Sequence, residues 1–411
     1  MGLFSPILSI LLTSLTFVFF NYFFAIPLAI NHHLMEHERE KKVPSYPYIS
    51  IMIPAYNEEG YVGRCIESVL EADYPARKMQ IIVIDDGSTD GTLSEAKEYE
   101  KSSKDDQEYD VQVLSKENGG KHSALNYGSI YAKGKYIFTI DADSIITRRS
   151  LKLMIRRFED SDDVGAVASN VKIINRDNFL TWCQSLEYLM SINIFRSALD
   201  AFGTVSVVPG CLGAFKKKFL EDGGFYDPNT LTEDFDTTVK MRKLGKTVQA
   251  SSGAVVFTEG PDTWKDLYKQ RLRWNIGTIQ TILKHKNVFL NSRYGLLRSF
   301  VFPLLLVSMF FLPIANVVVL ISIIHGILTG LIVEVTIIFF FFNLLMILTS
   351  SIAIQVGDED PKHLLFVPFL VVGYIQLLDM IKLKSLLDMI RGKAVWTSPT
   401  RIRKREERKK E

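Results

Sequence analysis

Gln80-Ile81-Ile82-Val83-Ile84-Asp85-Asp86-Gly87-Ser88-Thr89-Asp90-Gly91 is an apolar run closed by two carboxylates, a glycine and small hydroxyl residues. A short apolar run that stops at turn residues reads as a buried strand. The Asp-Gly-Ser-Thr-Asp-Gly that follows reads as a tight turn and a helix N-cap, with Asp90 as the cap. The same punctuation recurs. Ile49–Ile53, Val111–Leu114, Tyr136–Ile140 and Val164–Ala168 are further strand candidates, and helical patterns lie between them at Tyr61–Ala72, Gly91–Lys101, Lys121–Ala132 and Ser150–Phe158. This alternation predicts an α/β domain with right-handed crossovers and a mostly parallel sheet. Ligands of such sheets bind beyond the carboxyl ends of the strands. These turns carry neither GxGxxG nor a P-loop, which disfavours a dinucleotide or ATP site.

Outward from this domain the chain becomes apolar. Ile7 to Ile30 is 24 residues without a charge, long enough to cross a bilayer. It lacks a basic leader and a small-residue cleavage site, so it reads as a retained anchor. Arg39, Lys41 and Lys42 follow it and place the next segment in the cytoplasm by the positive-inside rule. Ser299 to Ile324 (26 residues) and Val335 to Val356 (22 residues) are also uncharged and can span. Leu364 to Leu378 has only 15 residues before Asp379, so a tilted span and an interfacial helix both stay open. The expected organisation is a transmembrane helix over 1–30, a cytoplasmic domain over 31–298, a membrane region of two to three segments over 299–390, and a tail over 391–411. From Arg401 onward that tail has seven basic and three acidic residues. Such a run reads as a solvated end, and on a membrane protein it favours the cytoplasm.

Composition narrows the classes. Among 411 residues, 47% are hydrophobic, 23% are charged and the formal net charge is +2. That excludes an acidic disordered chain and argues against a dedicated nucleic-acid binder. Cys65, Cys183 and Cys211 show no CxxC spacing, so neither a zinc site nor a disulfide framework is supported.

Three further islands carry chemistry. Asp141-Ala142-Asp143 closes the strand Tyr136–Ile140. In extended chain both carboxylates would point to one side, which is costly unless they are paired or hold a cation. Mg²⁺ or Mn²⁺ bound by such carboxylates plus substrate phosphates fits hard-ligand chemistry and would neutralise a departing diphosphate. Thr232-Glu233-Asp234 opens a helical run. Its bland reading is Thr232 as N-cap with acids in the first turn; its sharper one makes Asp234 a general base. In Gln270-Arg271-Leu272-Arg273-Trp274, Gln270, Arg273 and Trp274 share one helical face. That face suits an interfacial membrane helix, and it also suits sugar stacking with phosphate pairing.

These islands, in this order, resemble the processive inverting glycosyltransferases of family 2, which include cellulose, chitin, hyaluronan and poly-N-acetylglucosamine synthases. The resemblance covers Ile49 to Trp274 closely and the membrane architecture loosely. It implies a GT-A type nucleotide-sugar domain flanked by transmembrane helices. It also implies that Tyr56, Glu58 and Asp86 contact the uridine, with Lys121 of the Gly-Lys-x-x-Ala-Leu-Asn element beside the nucleotide. Asp141 and Asp143 would serve the diphosphate, with Asp143 the closer metal ligand. Asp234 would be the base beside Glu233. Gln270, Arg273 and Trp274 would hold the acceptor's end and the diphosphate, with Gly210 in the acceptor loop. Pro209 replaces the usual Ser there, so that position carries no hydroxyl. Trp396 and Arg401 resemble a gating segment of the poly-N-acetylglucosamine group. Three C-terminal crossings would carry Trp396 outside, so two crossings plus an interfacial or re-entrant helix is the reading preferred.

The expected reaction is transfer of a sugar, N-acetylglucosamine by nearness of motif wording, from a UDP-sugar to a growing polysaccharide at the plasma membrane, with export. So few spans make a narrow channel, or one completed by an accessory subunit or a second copy. The alternatives are a single-addition transferase acting on a lipid or polyprenyl phosphate, and a non-catalytic scaffold or transporter that retains the fold.

Overall fold

β1 (Ile49–Ala55) and β2 (Met79–Asp85) are almost wholly buried, because helices cover both faces of the sheet they share. A computed structural model of the chain describes residues 4–40, 45–106 and 109–392. It adds β3 (Asp110–Ser115), β4 (Tyr136–Thr139), β5 (Ile145–Ile146), β6 (Val164–Ile173), β7 (Gly213–Lys216) and β8 (Thr247–Thr258). These eight strands form one sheet in the order β3-β2-β1-β4-β7-β6-β8-β5. Four of the seven pairings are parallel. β7 runs antiparallel to β4 and β6, and β5 runs antiparallel to β8.

The order places the site. From β1 the chain steps outward through β2 to β3, then returns to lay β4 on the other flank of β1. That reversal is a topological switch point, where a crevice opens beyond the carboxyl ends. Register aligns those ends: Ala55 pairs with Asp85, and Asp85 with Ser115. On the other flank Met52 pairs with Thr139, and the Met52 carbonyl accepts from Ile140 N. Asp86 and Asp141 therefore leave neighbouring strands on one rim.

All five expected strands are present, with no end shifted by more than five residues. β7 and β8 carry too little local signal to be expected from the sequence. β7 has only four residues and ends in lysine, and Gln249-Ala250-Ser251-Ser252-Gly253 in β8 has little strand preference of its own. Pairing to β4 and β6 holds them in place.

The first helix runs from Phe4 to Glu40, past the uncharged stretch. Its last turns dock on the domain through buried polar side chains. His32 Nδ1 lies 2.9 Å from Asp200, Arg157 donates to Asp200 at 2.6 Å, and Ser251 donates to Glu36.

Among the described residues three helical stretches are long and apolar enough to cross a membrane: Leu297–Leu328, Ile332–Gly357 and Pro361–Ile390. The third is broken. Val372 (φ −120°, ψ 111°) and Gly373 (φ 111°, ψ −62°) leave helical geometry, and Gln376 satisfies the freed backbone. Its amide accepts from Gly373 N at 2.7 Å and donates to the Val371 carbonyl at 2.9 Å. The turn before this segment is fixed to the domain, since Glu359 accepts a forked pair from Arg176 (2.6 and 3.1 Å) and lies 3.0 Å from Lys172. The helix Ile375–Ile390 then packs along Trp264–Lys284, which carries the Gln-Arg-Leu-Arg-Trp island.

Candidate active site

The turns after β1 and β2 clasp each other. Asn57 (φ 57°) donates its backbone N–H to Ser88 Oγ at 3.0 Å, and its side chain accepts from Thr89 N at 2.8 Å. Glu58 N donates to Thr92 Oγ1 at 2.8 Å, and Glu59 accepts from Gly91 N at 3.0 Å. Asp90 accepts from Thr92 N at 3.1 Å, in keeping with its reading as a local cap. Tyr56 stands on this rim 43% exposed, a ring available for stacking.

Asp86 is buried at the rim and holds a loop. Its carboxylate accepts from Lys116 Nζ (2.7 Å), Gly119 N (3.1 Å) and Gly120 N (2.7 Å). Gly120 sits at φ +84°, a conformation that favours glycine. The helix Lys121–Tyr131 starts directly after it, so Asp86 fixes where Lys121 emerges. Midway along this helix Asn126 clamps Tyr226, donating to its carbonyl at 2.7 Å and accepting from its N–H at 3.0 Å. That ties the element to the loop preceding Thr232.

Lys121 is the hub. Its Nζ lies 2.6 Å from Asp141 Oδ1 and 2.9 Å from Glu233 Oε1. Burial opposes its charge, but Asp141, Glu233 and Asp234 together hold its pKa well above the ordinary lysine value. Gly210 N donates to Asp234 Oδ2 at 3.2 Å. A Cβ at Gly210 would come within 2.5 Å of Lys121 Nζ and 3.6 Å of both Asp141 Oδ2 and Asp234 Oδ2. Residues from four separate segments therefore meet around one point. Burial, and then Glu233, push Asp234 up to about 6, against the pull of Lys121. A carboxylate tuned toward neutral pH suits a general base.

Asp141 and Asp143 do not converge in the way extended chain would place them. β4 stops at Thr139, and Ser144 N donates to the Asp141 carbonyl at 2.9 Å, closing a turn. Asp141 turns to Lys121. Asp143 accepts from Ser144 Oγ at 3.2 Å and lines a shallow cleft with Tyr61, Arg64 and Glu259. Both still act on one space. The thiols of Cys65 and Cys211 are pushed up by burial and then by these two carboxylates. Among the described residues no group of three His, Cys, Asp or Glu is arranged to hold a metal. Carboxylate oxygens are the hard donors that Mg²⁺ and Mn²⁺ take, so the donor chemistry of Asp141 and Asp143 fits such an ion, while their side chains engage different partners here.

Thr232 occupies the N-cap position of Glu233–Lys243, yet its hydroxyl makes no capping bond. It packs instead on the helix Trp264–Lys284, where a Cβ at Gly277 would meet Thr232 Oγ1 at 2.5 Å. Leu231 N also donates to Gln280 Oε1 at 3.0 Å. The Thr-Glu-Asp and Gln-Arg-Leu-Arg-Trp islands thus share one interface. Around it the buried atoms Tyr226 OH, Thr232 Oγ1, Gln270 Oε1 and Arg273 Nε have no hydrogen-bond partner among the described residues.

Several partners leave no mark in the sequence. Asp236 is completely buried against His285 (2.9 Å) and Lys284 (2.8 Å), which hold its carboxyl down at about 2 despite burial. Arg271, an unassigned position of its island, forks onto Glu187 at 3.0 and 2.8 Å. The missing signal in each case is a partner distant in sequence. Trp396 and Arg401 lie outside the described residues.

The Glycosyl transferase family 2 model matches residues 50–224. The chain is 30% identical over 264 residues to a poly-beta-1,6-N-acetyl-D-glucosamine synthase of Staphylococcus epidermidis, covering 64% of this chain and 61% of the relative. To the synthase of that name from Staphylococcus aureus it is 30% identical over 236 residues, with 57% and 56% covered. The chain thus matches less than two thirds of the length of these relatives. A mannosyltransferase from Pyrobaculum calidifontis, solved in complex with GDP-Man and Mn²⁺, superposes with a TM-score of 0.61 at 18% identity, over 91% of this chain and 100% of that one. At that identity the likeness speaks for the fold. The switch-point topology, the islands around it and these matches agree: residues 50–224 match the Glycosyl transferase family 2 model, in a domain with a GT-A-like fold.

Proposed function

We propose that this protein is an inverting glycosyltransferase that moves N-acetylglucosamine from a UDP-sugar onto a growing polysaccharide at the membrane. The observation that carries the reading is the meeting of Lys121, Asp141, Gly210, Glu233 and Asp234 at the switch point, with Asp234 tuned to about 6. The printed names of the Staphylococcus relatives supply the choice of sugar.

In this reading Tyr56, Glu58 and Asp86 form the uridine end, and Lys121 neutralises the diphosphate. Asp141 and Asp143 would hold a Mg²⁺ or Mn²⁺ ion, which lowers the cost of charge gathering on the leaving diphosphate. Asp234 takes the proton from an acceptor hydroxyl while its oxygen bonds to the anomeric carbon. The bond from that carbon to UDP breaks, and its electron pair leaves with the phosphate. An α-linked donor then gives a β-linked product. Gln270, Arg273 and Trp274 hold the acceptor's terminal sugar.

The test is purified full-length protein with a panel of UDP-sugars, reading UDP release and product length. Polymer from UDP-N-acetylglucosamine supports the reading. A single added sugar favours the lipid-directed alternative, and no turnover with any donor favours a scaffold. In the same assay Asp143→Asn should weaken Mn²⁺-dependent UDP binding about tenfold or more while leaving metal-free UDP binding unchanged. Equal binding in the two proteins would remove Asp143 from the metal site.

The reading also extends to topology, with the catalytic domain in the cytoplasm. The latch of Glu359 to Lys172 and Arg176 favours a loop on the domain's side of the membrane, and the broken third segment returns along Trp264–Lys284. Two crossings after residue 297, with the tail on the domain's side, follow from this. Single cysteines placed at 358–360 and in the tail should be labelled only from the domain's side. Labelling of the tail from the opposite side would require a third crossing.

A further inference from the structure

We infer that Glu187 is a positioning residue that fixes the acceptor-holding Trp274 through Arg271, and that Tyr374 ties this arrangement to the break in the last membrane-region segment. The inference rests on the proposed role of Trp274.

Glu187 lies on the helix Phe179–Met190. Its two oxygens accept the Arg271 fork at 3.0 and 2.8 Å, and Oε2 also accepts from Tyr374 OH at 2.7 Å. A forked guanidinium–carboxylate pair fixes the plane of the guanidinium as well as its place. Arg271 precedes Trp274 by three residues, hence on the same face of the helix. Its guanidinium carbon lies 4.7 Å from the indole centroid and 5.6 Å from that of Tyr188. The Trp274 ring therefore rests on a cation whose orientation Glu187 sets, while the indole keeps part of its surface open.

Tyr374 is buried and comes directly after non-helical Val372 and Gly373. An unbroken helix would carry the phenol on a different course. Gln376 bonds on both sides of the break make this a built feature, so the phenol's approach to Glu187 is part of the fold. In the proposed mechanism none of the three residues touches the transferred sugar. Their effect is on how well the acceptor is held.

The experiment uses the full chain in lipid nanodiscs, with UDP-N-acetylglucosamine and a β-1,6-linked tetra-N-acetylglucosamine acceptor. Glu187→Gln should raise the acceptor KM about tenfold and leave the donor KM and the kcat at saturating acceptor within about twofold. Tyr374→Phe, which removes only a hydroxyl, should move the acceptor KM the same way by about threefold. Glu187→Gln added to Arg271→Lys should add little to Arg271→Lys alone, since both break one unit. Trp274→Ala is the reference. If it raises the acceptor KM while Glu187→Gln and Tyr374→Phe leave it unchanged, the positioning role is overturned and the site reading stands. If Trp274→Ala leaves the acceptor KM unchanged, the site reading fails and takes this inference with it. Should Glu187→Gln fail to fold, Tyr374→Phe decides alone: a raised acceptor KM supports the positioning role and an unchanged one overturns it.

Discussion

Asp234→Asn should lower kcat by about a thousandfold while donor binding stays within about twofold, the pattern of a lost general base. The substitution keeps shape. The Asn carbonyl oxygen can still accept from Gly210 N or Phe235 N, which Asp234 engages at 3.2 and 2.8 Å. What is lost is a group able to take the acceptor's proton. The wild-type pH profile makes the same point from the other side. Asp234 is raised to about 6, first by burial and then by Glu233. Below that value it is protonated and cannot act as a base, so kcat should fall roughly tenfold per pH unit on the acid side and flatten above. The acid limb should vanish in Asp234→Asn. Initial rates of UDP release between pH 5 and pH 8, with UDP binding measured separately, check both statements. Retained turnover in the variant would remove Asp234 from the base role.

Lys121→Met should be nearly as damaging, with a different signature. Methionine keeps most of the stem's volume but removes the cation that sits 2.6 Å from Asp141 and 2.9 Å from Glu233. Two carboxylates then face each other and Asp234 without compensation, an arrangement that a low-dielectric site penalises. Lys121 holds Asp234 down against burial and Glu233, so its loss should move the acid limb of kcat to higher pH. The side chain of Lys121 is 31% exposed, so water screens part of the effect. A loss of about a hundredfold at neutral pH is expected, partly recovered on the alkaline side, together with a raised donor KM from loss of the proposed diphosphate contact. Rates across pH at several UDP-sugar concentrations separate the two contributions. An unmoved acid limb would show that Asp234 does not feel Lys121.

How much of this the sequence discloses depends on distance along the chain. The strands Ile49–Ala55 and Met79–Asp85 and the turns after them are legible because apolar runs and turn residues act locally. β7 is not legible, since four residues ending in lysine gain strand geometry only from β4 and β6 beside them. Strand alternation argues for Asp141 beside Asp143, but a turn stands there and the two side chains go to different partners. Thr232 has the residue type of a cap, yet its hydroxyl packs beside Gly277 and makes no capping bond. The motif assigns Asp86 to the nucleotide. The structure adds that it gathers the loop delivering Lys121, through backbone N–H groups that a motif cannot display.

By itself the amino-acid order determined the α/β alternation, the apolar stretches able to reach through a bilayer, and the set of carboxylates available for chemistry. Those follow from hydrophobic periodicity and residue type, which need no knowledge of neighbours. Only the tertiary structure decided that Lys121 stands between Asp141 and Glu233, that Arg271 rather than Arg273 is the fixed guanidinium, and that the last segment breaks at Gly373. The reason is physical. A charge's pKa, the worth of an ion pair and the tolerance for a broken helix are set by what surrounds the group in space, and that environment is assembled from residues far apart in the chain.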